Sequence, residues 1–566
     1  MGFRQYLPLT LGKPIFFVSL DGSDVNGDGT FENPWRTIGK GVSLLSGWDT
    51  LYIRGGTYVE QVTISRSGTA DAPITIAAYP GEKVVIDGRA GVDGLNEGLP
   101  EDGELILPSE SRFGTGYRYT ALVSIEANYI TFEGIEITRS MGRGVRVWRS
   151  GRNTRGVTIR NCEISYSREA GLLLEENCME ITIEDCDIYQ NSNFAPYPRF
   201  PTVLDWTAGL AVKASQKISI TGTHVHENWG EGILADTQVN GTKDVSISDC
   251  VLYDNMSPNI YLHAVQDVVV SGNLLYQTDN SEFPNAAGIA LSPAEPQFTQ
   301  DLPTQNVNIV NNIIVGFSSN IAFYSSAERS LENIRIYYNT LVNAVDQGIH
   351  ETKASFQGCE FRNNLSFQSN GAPHTNNGGS FVNWTFSNNA WTIPPPSDIG
   401  NSSDIVGNLQ LENPDSKRER GKVDPAWYKI KSSSSVIGQA NESLPVNQDF
   451  FHNSRDAQPD IGAHEFQKET FATNTINTST GSESKPIFYD RTVVDLLSSS
   501  GFRRFIIVSN KAVARPDKII GFGIQFPDQQ CLIYGGNQAN SPLIFEDVSQ
   551  ALEEYKKLDV MLNWMD

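Results

Sequence analysis

Four ionisable residues end short segments in which apolar and polar side chains alternate. They are Glu175, Lys213, Asp236 and His263, the last residues of GLLLE, GLAVK, GILAD and NIYLH. Carboxylates, amines and imidazoles are the groups that act as general acids, general bases and charge stabilisers. If the second and fourth residues of each segment face a core, the fifth faces outward, because side chains alternate along a strand. The pattern predicts an outward column of acid–base groups about 5 Å apart if the segments stack.

Further polar and aromatic side chains are predicted beside this column. The earlier segment GVRVW places Arg146 and Trp148 at the equivalent outward positions, and Glu231 directly precedes GILAD. Aromatic rings and a few polar groups are typical of ligand-binding clefts. The predicted catalytic residues are Lys213, Asp236, Glu175, His263 and Glu231, and the predicted substrate-binding residues are Arg146, Trp148, Trp206, Trp229 and Tyr261. Ordinary charge alternation on a solvated face is the alternative interpretation of each residue taken singly.

A repeat of about 24 residues must position these groups. Segments such as VTIRNCEIS, ITIEDCDIY and VSISDCVLY each contain an alternating run, a polar bend and a second short run. The bend residues Cys162, Cys186, Thr223 and Cys250 are 24, 37 and 27 residues apart. Such a period with occasional insertions is typical of a β-solenoid, whose stacked coils build parallel sheets.

The cysteines are explained by the same bends. The six cysteines form no CxxC pair and show no metal-ligand spacing. Cys162, Cys186 and Cys250 occupy the position at which later coils have asparagines such as Asn273 and Asn312. Stacked asparagine amides can hydrogen-bond from coil to coil, and a small thiol fills the same space. We expect these cysteines to be buried structural thiols without disulfide bonds.

Four segments carry recognisable motifs: FVSLDGSDVNGDGTFENPWRTIGKGV, DTLYIRGGTYVE, APITIAAYPGEKVVIDG and, at 458–467, QPDIGAHEFQ. Together they resemble the opening and closing segments of bacterial right-handed parallel β-helix proteins of the pectate-lyase-like superfamily. The resemblance covers about residues 15–467 and implies an all-β, right-handed parallel β-helix with WRTIGKGVSLL at 35–45 as a helical cap. This fold hosts lyases, hydrolases, epimerases and viral tailspikes, so it does not define the reaction.

The chain is predicted to divide into four parts. These are an N-terminal segment and cap at 1–50, the parallel β-helix at 51–467, a Ser/Thr-rich linker at 468–485 and a small α/β domain of unassigned role at 486–566. Within the last part, strands are predicted at 502–509, 518–526 and 531–536, and a helix at 546–557.

The resemblance implies a calcium site that this sequence does not reproduce. Calcium-dependent pectate lyases of the superfamily carry Asp-rich ADGF and DDGFD-like segments, which match TAGLAVK at 207–213 and WGEGILAD at 229–236. Ala208 replaces the first Asp, and Tyr261 occupies the expected lysine position of the next coil. Neither that calcium site nor pectate specificity is therefore carried over from the family.

A second calcium-like motif is DGSDVNGDG at 21–29, which resembles the start of an EF-hand loop. The loop-like D-x-N-x-D-G start is Asp24, Asn26, Asp28 and Gly29. The twelfth position counted from Asp24 is Trp35 instead of a glutamate, so we interpret the motif as a turn. The sequence requires no cofactor and leaves calcium binding open, without defining a metal ligand.

The charge balance restricts the partners. The formal net charge is −23, which argues against nucleic acid and against an anionic membrane surface. A local run of arginines between 139 and 160 suits a uronate-containing polysaccharide, because guanidinium binds carboxylates; neutralisation of acidic neighbours is the alternative. No apolar run long enough to cross a membrane and no signal peptide are visible, and we expect an extracellular or virion-surface location.

Two reactions on a polysaccharide fit the predicted column. In β-elimination, Lys213 or His263 removes the proton next to a sugar carboxylate, and Arg146 or a cation stabilises the developing charge. In hydrolysis, Glu175 and Asp236 act as an acid–base pair. A viral tailspike or receptor-binding depolymerase and a non-catalytic adhesin are the alternatives. A secreted enzyme is expected to be a monomer and a tailspike a homotrimer.

Overall fold

Coiling of the chain into stacked rungs places three parallel β-sheets around one apolar core. The computed structural model describes residues 13–88, 121–140, 142–192, 208–237, 241–294, 303–324, 330–352, 355–375, 381–441 and 444–467, and five strands between 503 and 565. Within the described ranges from 13 to 467 the fold is a right-handed parallel β-helix, as the sequence predicts. From Val62 to Val342, each coil adds one strand to each sheet in the order sheet 1, sheet 2, sheet 3.

Sheet 1 contains the GILAD-type segments. Its ten described strands are Val62–Ile64, Ala121–Ile125, Arg143–Val147, Leu172–Leu174, Ala208–Lys213, Glu231–Asp236, Ile260–His263, Ala287–Ser292, Ser319–Phe323 and Gln347–Glu351.

Sheet 2 follows the first turn of each coil. Its fourteen described strands are Ile15–Val18, Thr50–Ile53, Ile74–Ala78, Ile130–Glu133, Thr154–Arg160, Cys178–Glu184, Gln216–Thr221, Thr242–Ser248, Val265–Ser271, Thr304–Val310, Ser330–Tyr337, Ser355–Gln357, Cys359–Arg362 and Trp384–Ser387.

Sheet 3 completes each coil with very short strands. Its thirteen described strands are Gly56–Tyr58, Val84–Asp87, Glu136–Thr138, Glu163–Ser165, Asp187–Tyr189, His224–His226, Val251–Tyr253, Leu274–Tyr276, Ile313–Val315, Thr340–Val342, Leu365–Phe367, Ala390–Trp391 and Ile405–Val406.

The core is built from the inward positions of the alternating segments. Ile233, Ala235, Ile260 and Leu262 have no solvent exposure and belong to one continuous apolar cluster inside the coils. Strand alternation sends the residues between them to the outer face of sheet 1. The same pattern that fills the core therefore sets the direction of the predicted column.

The bend between sheets 2 and 3 holds a ladder of asparagines, as predicted. The Nδ2 of Asn273 donates to Oδ1 of Asn312 at 2.9 Å, and the pattern continues through Asn339 and Asn364 at 3.0 Å each. These side chains are fully buried. The ladder locks successive rungs into one register, because each amide bonds to its neighbour.

Cys162, Cys178, Cys186, Cys250 and Cys359 are free and buried, which confirms the prediction for Cys162, Cys186 and Cys250. Burial raises the pKa of the Cys250 thiol to about 12. Its Sγ donates to the carbonyl of Ser248 at 3.2 Å, so the thiol takes a place in the bend comparable to that of the asparagines.

A helix at Ile38–Leu44 lies at the N-terminal end, within the predicted cap. The hydroxyl of Thr37 accepts from the amide of Lys40, and Ile38 and Val42 are buried. Asp24, from the calcium-like motif, accepts the amides of Arg36 and Thr37. This carboxylate therefore serves as an anchor in a turn. A 3₁₀ helix occupies Pro425–Tyr428.

The chain separates into Met1–Lys468 and Glu469–Asp566. The described part of the second unit is an antiparallel sheet of five strands. They are Arg503–Ser509, Ile519–Gln525, Cys531–Gly535, Leu543–Phe545 and Val560–Met565. The linker predicted at 468–485 and the helix predicted at 546–557 lie outside the described residues.

Candidate functional site

Sheet 1 brings the predicted column together. Its register pairs Lys213 with Asp236, Asp236 with His263 and His263 with Ser292 on consecutive rungs. Glu175 follows Leu174, the register neighbour of Val212, and therefore precedes Lys213 in the same column. Adjacent rungs are about 4.8 Å apart in the hydrogen-bonding direction. Acidic, basic and imidazole groups thus stand on four successive rungs.

Asp236 and His263 form a hydrogen-bonded pair. Nδ1 of His263 lies 2.6 Å from Oδ1 of Asp236, and the two side chains are 16% and 17% exposed. In the described part of the chain, no hydrogen bond occupies Nε2 of this imidazole. The pair therefore has the arrangement of an oriented base, with one nitrogen held by a carboxylate and the other available.

Lys213 is half-buried and neighbours both Glu175 and Asp236 in the column. With respect to the described residues, its ammonium has no carboxylate partner within 4.0 Å. A half-buried ammonium without an ion-pair partner is a favourable place for the carboxylate of a ligand.

Arg146 occupies the outer face two rungs before Lys213. Its Nε lies 2.5 Å from Oε2 of Glu175, and its guanidinium stands 4.0 Å over the ring of Trp148. The ion pair and the stacked ring fix the guanidinium at the N-terminal end of the column.

Tyr261 lies on the strand of His263, two residues before it and on the same face. The two rings are 5.8 Å apart, and the Tyr261 hydroxyl lies 2.8 Å from Oγ of Ser292. On the same side, Tyr324 places its ring 6.3 Å from that of Tyr261. Neither Ser292 nor Tyr324 was among the predicted site residues, although both occupy the fifth position of their segments.

Three predicted site residues lie outside this group. Glu231 begins the strand Glu231–Asp236 and is only 2% exposed, so its side chain lies beneath the surface. Trp229 packs edge to face against Phe283 at 5.3 Å. Trp206 lies outside the described residues.

The third positions of the segments, which strand alternation also directs outward, are mostly covered. Leu173, Ala211 and Leu234 are at most 5% exposed although strand alternation sends them outward. They pack together with Ala170 and Ala208 in a small apolar cluster. Hydrophobic burial therefore extends to the outer face here, and solvent reaches mainly the fifth positions.

The arginine run is largely neutralised within the protein. Arg139 pairs with Asp87 at 2.7 Å, Arg143 with Glu169 at 3.3 Å, and Arg155 and Arg160 each have a glutamate partner at 2.8 Å. Most arginines of the run are therefore engaged by acidic neighbours. Arg146, the register neighbour of Leu173, lies beside the column and bonds to Glu175 of the column.

The described residues do not fit the calcium site implied by the resemblance. Ala208 and Glu231 are register partners, so one of the two neighbouring positions offers no oxygen ligand. On the rung that follows the strand of Glu231, Tyr261 occupies the position at which the family has a lysine. Among the described residues, no group of three or more His, Cys, Asp or Glu side chains is arranged to hold a metal ion.

No helix among the described residues has the length and hydropathy needed to cross a bilayer.

Comparisons with known proteins agree on the fold. Residues 16–257 match the family model of the Pel9A-like right-handed beta helix region. Pectate lyase PEL9 of Emericella nidulans is 42% identical over 89 residues, which are 15% of this chain and 21% of that protein. The uncharacterized protein YwoF of Bacillus subtilis is 42% identical over 74 residues, 13% of this chain and 16% of that protein. The matches thus span about a fifth or less of these relatives.

Among solved structures, the crystal structure of pectate lyase Pel9A aligns with 80% of this chain and 97% of its own length. The sequence identity is 16% and the TM-score 0.46. The family model covers the coils that carry Glu175, Lys213 and Asp236. The described coils of this chain are thus a right-handed parallel β-helix, and residues 16–257 are similar to the Pel9A-like β-helix region, in agreement with the resemblance that the sequence motifs indicated.

Proposed function

We propose that the column on sheet 1 cleaves a uronate-containing polysaccharide by β-elimination. The observation that carries this proposal is the Asp236–His263 pair, joined at 2.6 Å. On the rung before Asp236 lies the ammonium of Lys213, which has no carboxylate partner among the described residues. One relative is named a pectate lyase, and pectate is a polymer of uronate residues. That name supports an acidic polysaccharide as the substrate class.

His263 acts as the general base. Asp236 accepts the Nδ1 proton, so Nε2 carries the lone pair that takes the proton at C5 of the uronate. The C5–H electron pair forms the C4=C5 double bond, and the C4–O bond breaks toward the leaving oxygen. The products are a chain with an unsaturated end and a chain with a free hydroxyl at the cleaved oxygen.

Lys213 stabilises the charge that develops on the uronate. Removal of the C5 proton places negative charge on the adjacent carboxylate, and an ammonium held nearby lowers the cost of that charge. Lys213 lies two rungs from His263, about 10 Å between backbones, and its long side chain shortens this separation. We infer that the ammonium supplies the positive charge without a bound cation.

Arg146 and Trp148 form the neighbouring binding wall. The guanidinium, fixed between Glu175 and the indole ring, provides donors for substrate hydroxyls or for a second carboxylate. The aromatic ring offers an apolar face for a sugar ring. The chain of the substrate then follows the column from Trp148 toward Tyr324.

Hydrolysis by Glu175 and Asp236 is less well supported. The two carboxylates are two rungs apart, about 10 Å between backbones, close to the range of inverting enzymes. Each of them already accepts a hydrogen bond, from Arg146 and His263 respectively. An acid catalyst needs a protonated carboxyl group that is free to donate its proton. Glu175, bonded to Arg146, and Asp236, bonded to His263, do not offer such a group.

The test is digestion of a panel of uronate polymers, followed by ultraviolet absorbance of the unsaturated product. We expect His263→Ala and Lys213→Ala each to lower kcat by about 10²-fold or more. The matched controls are His224→Ala on sheet 3 and Lys243→Ala on sheet 2, both exposed and both on a sheet other than that of the column. New reducing ends without the unsaturated product would reject elimination in favour of hydrolysis.

The tailspike alternative is tested by the mass in solution. The chain has a mass of 62.4 kDa, and a homotrimer would be three times as heavy. A monomer that releases unsaturated product supports a free-standing lyase. A stable trimer would support the tailspike or receptor-binding depolymerase.

A further inference from the structure

Tyr261 is held in one place by its surroundings. Its register neighbours on the next two rungs are Ala290 and Ala322, which are fully buried. These two alanines and Ala287 form an apolar floor against which Tyr261 and Tyr324 pack. Small side chains at these positions leave room for the Tyr261 ring to lean across a rung. A larger residue in place of Ala290 would fill that room.

The hydroxyl of Tyr261 is oriented by Ser292. The two oxygens are 2.8 Å apart, and Ser292 is the register neighbour of His263 and not of Tyr261. The Tyr261 side chain therefore extends diagonally toward the next rung, where Ser292 occupies the column position after that of His263. This places a hydroxyl beside the base, on the side away from Lys213.

The phenol keeps its proton over the working pH range of a histidine base. Burial, the largest influence, raises the pKa of Tyr261 above its ordinary value against a lowering by the hydrogen bond to Ser292, and the weaker effects of Glu231 and Asp236 raise it further. A group in this state can donate a proton and does not compete with His263 for one.

We propose that Tyr261 is the catalytic acid that protonates the leaving oxygen, with Ser292 as its positioning residue. This inference rests on the proposed elimination. As the C4–O bond breaks, its electron pair takes the phenolic proton and the leaving chain departs with a hydroxyl. The phenolate then regains a proton from the His263 imidazolium, either directly or through water, so the enzyme returns to its starting state.

The experiment compares two substrates of different leaving-group strength. One is the uronate polymer, whose sugar alkoxide needs a proton to leave; the other is a uronate with an aryloxy group at C4, whose phenolate leaves without one. Tyr261→Phe is expected to lower kcat on the polymer by about 10²–10⁴-fold and to leave the rate on the aryloxy substrate nearly unchanged. The Phe ring preserves stacking, so KM stays close to that of the unaltered protein.

Ser292→Ala provides a second measurement that does not remove the phenol. Loss of the hydrogen bond is expected to lower kcat less than Tyr261→Phe does and to move the alkaline limb of the pH–rate profile to higher pH, because that bond lowers the pKa of Tyr261. The matched controls are Tyr52→Phe and Ser246→Ala on sheet 2, which should behave as the unaltered protein.

Three results overturn the inference. An equal loss of kcat on both substrates in Tyr261→Phe would assign Tyr261 a structural role. Full activity of Tyr261→Phe on the polymer would show that Tyr261 donates no proton. In both cases the proposed elimination stands. No unsaturated product from the unaltered protein on any uronate polymer would reject the elimination itself and the inference with it.

Discussion

The two nitrogens of the His263 ring meet different surroundings. Nδ1 lies 2.6 Å from a carboxylate oxygen of Asp236, whereas the described residues offer Nε2 no hydrogen-bond partner. A carboxylate on one nitrogen selects the tautomer in which the other nitrogen carries the lone pair. The function of Asp236 in our proposal is therefore to orient the ring and to stabilise the imidazolium that forms.

Substitution of Asp236 by Asn tests this orientation. The amide keeps the size of the carboxylate but offers no negative charge to the imidazolium, so we expect kcat on a uronate polymer to fall by about 10²-fold or more with little change in KM. The control is Asp244→Asn, an exposed carboxylate in sheet 2. An unchanged kcat would remove Asp236 from the mechanism.

A chelator tests the assignment of Lys213 as the source of positive charge. Because the described residues form no cluster suited to a metal ion, we expect the rate of product formation to be the same with and without excess EDTA. Lys213→Ala should remain slow when calcium is added. Loss of activity in EDTA that calcium restores would contradict this assignment.

At the level of elements, the asparagine ladder is the feature on which the alignment of the rungs depends. Asn339 accepts at Oδ1 from the amide and the side chain of Asn312, at 2.9 and 3.0 Å. Its Nδ2 donates to the carbonyl of Ile309 at 2.8 Å and to Asn364. Every bond lies in the interior, where an unsatisfied donor or acceptor costs about 1–3 kcal/mol.

Substitution of Asn339 by Ala should destabilise the β-helix strongly. The change leaves several buried groups of the neighbouring rungs without partners, so we expect the free energy of unfolding to fall by more than about 3 kcal/mol. Equilibrium unfolding in urea measures the change, with Asn413→Ala at an exposed position as the control. A loss as small as that of the control would mean that the ladder contributes little to stability.

The repeat predicted the fold and the column because both depend on backbone periodicity. A two-residue alternation and a bend that recurs in every coil define which side chains face outward and which rungs are adjacent. The fifth-position residues Glu175, Lys213, Asp236 and His263 therefore fall in register as predicted. The pairing of side chains does not follow from periodicity.

Three features illustrate this difference. The bond of Tyr261 to Ser292 crosses a rung diagonally and depends on the small side chain of Ala290. The burial of Leu234 on the outer face depends on its apolar neighbours, and alternation alone indicated exposure. The neutralisation of the arginines depends on acids that are distant in sequence. A prediction of any of these three features would need the three-dimensional positions of side chains on several coils.

For the whole molecule, buried histidines couple stability to pH. Nε2 of His374 accepts from the amide of Ile393, and Nδ1 of His464 accepts from the amide of Ile430. Burial lowers the pKa of His374 to about 4 and that of His464 to about 3. Asp460 acts in the opposite direction, because burial raises its pKa to about 6.

His374 should make unfolding easier in acid. Its pKa is lower in the folded state than in the unfolded chain, about 6.5, so its contribution to stability is present above pH 6.5 and declines as the pH falls toward 4. We expect about 2 kcal/mol of this contribution to disappear between pH 7 and pH 5. Urea unfolding of the unaltered protein and of His374→Gln at several pH values measures the contribution of His374. The variant should lose less stability than the unaltered protein on acidification. An identical pH dependence of the two proteins would contradict the assignment.

Lys213, Asp236 and His263 are contributed by three successive coils, and this has a consequence for how such a surface can change. Insertion or removal of a whole coil would preserve the apolar interior and the ladder while altering the distance between two chemical groups by one rung. An extra coil between Lys213 and Asp236, for example, would leave the Asp236–His263 pair intact and move the ammonium away from it. Charge stabilisation and proton abstraction are therefore separable by duplication of a coil, without redesign of any single strand.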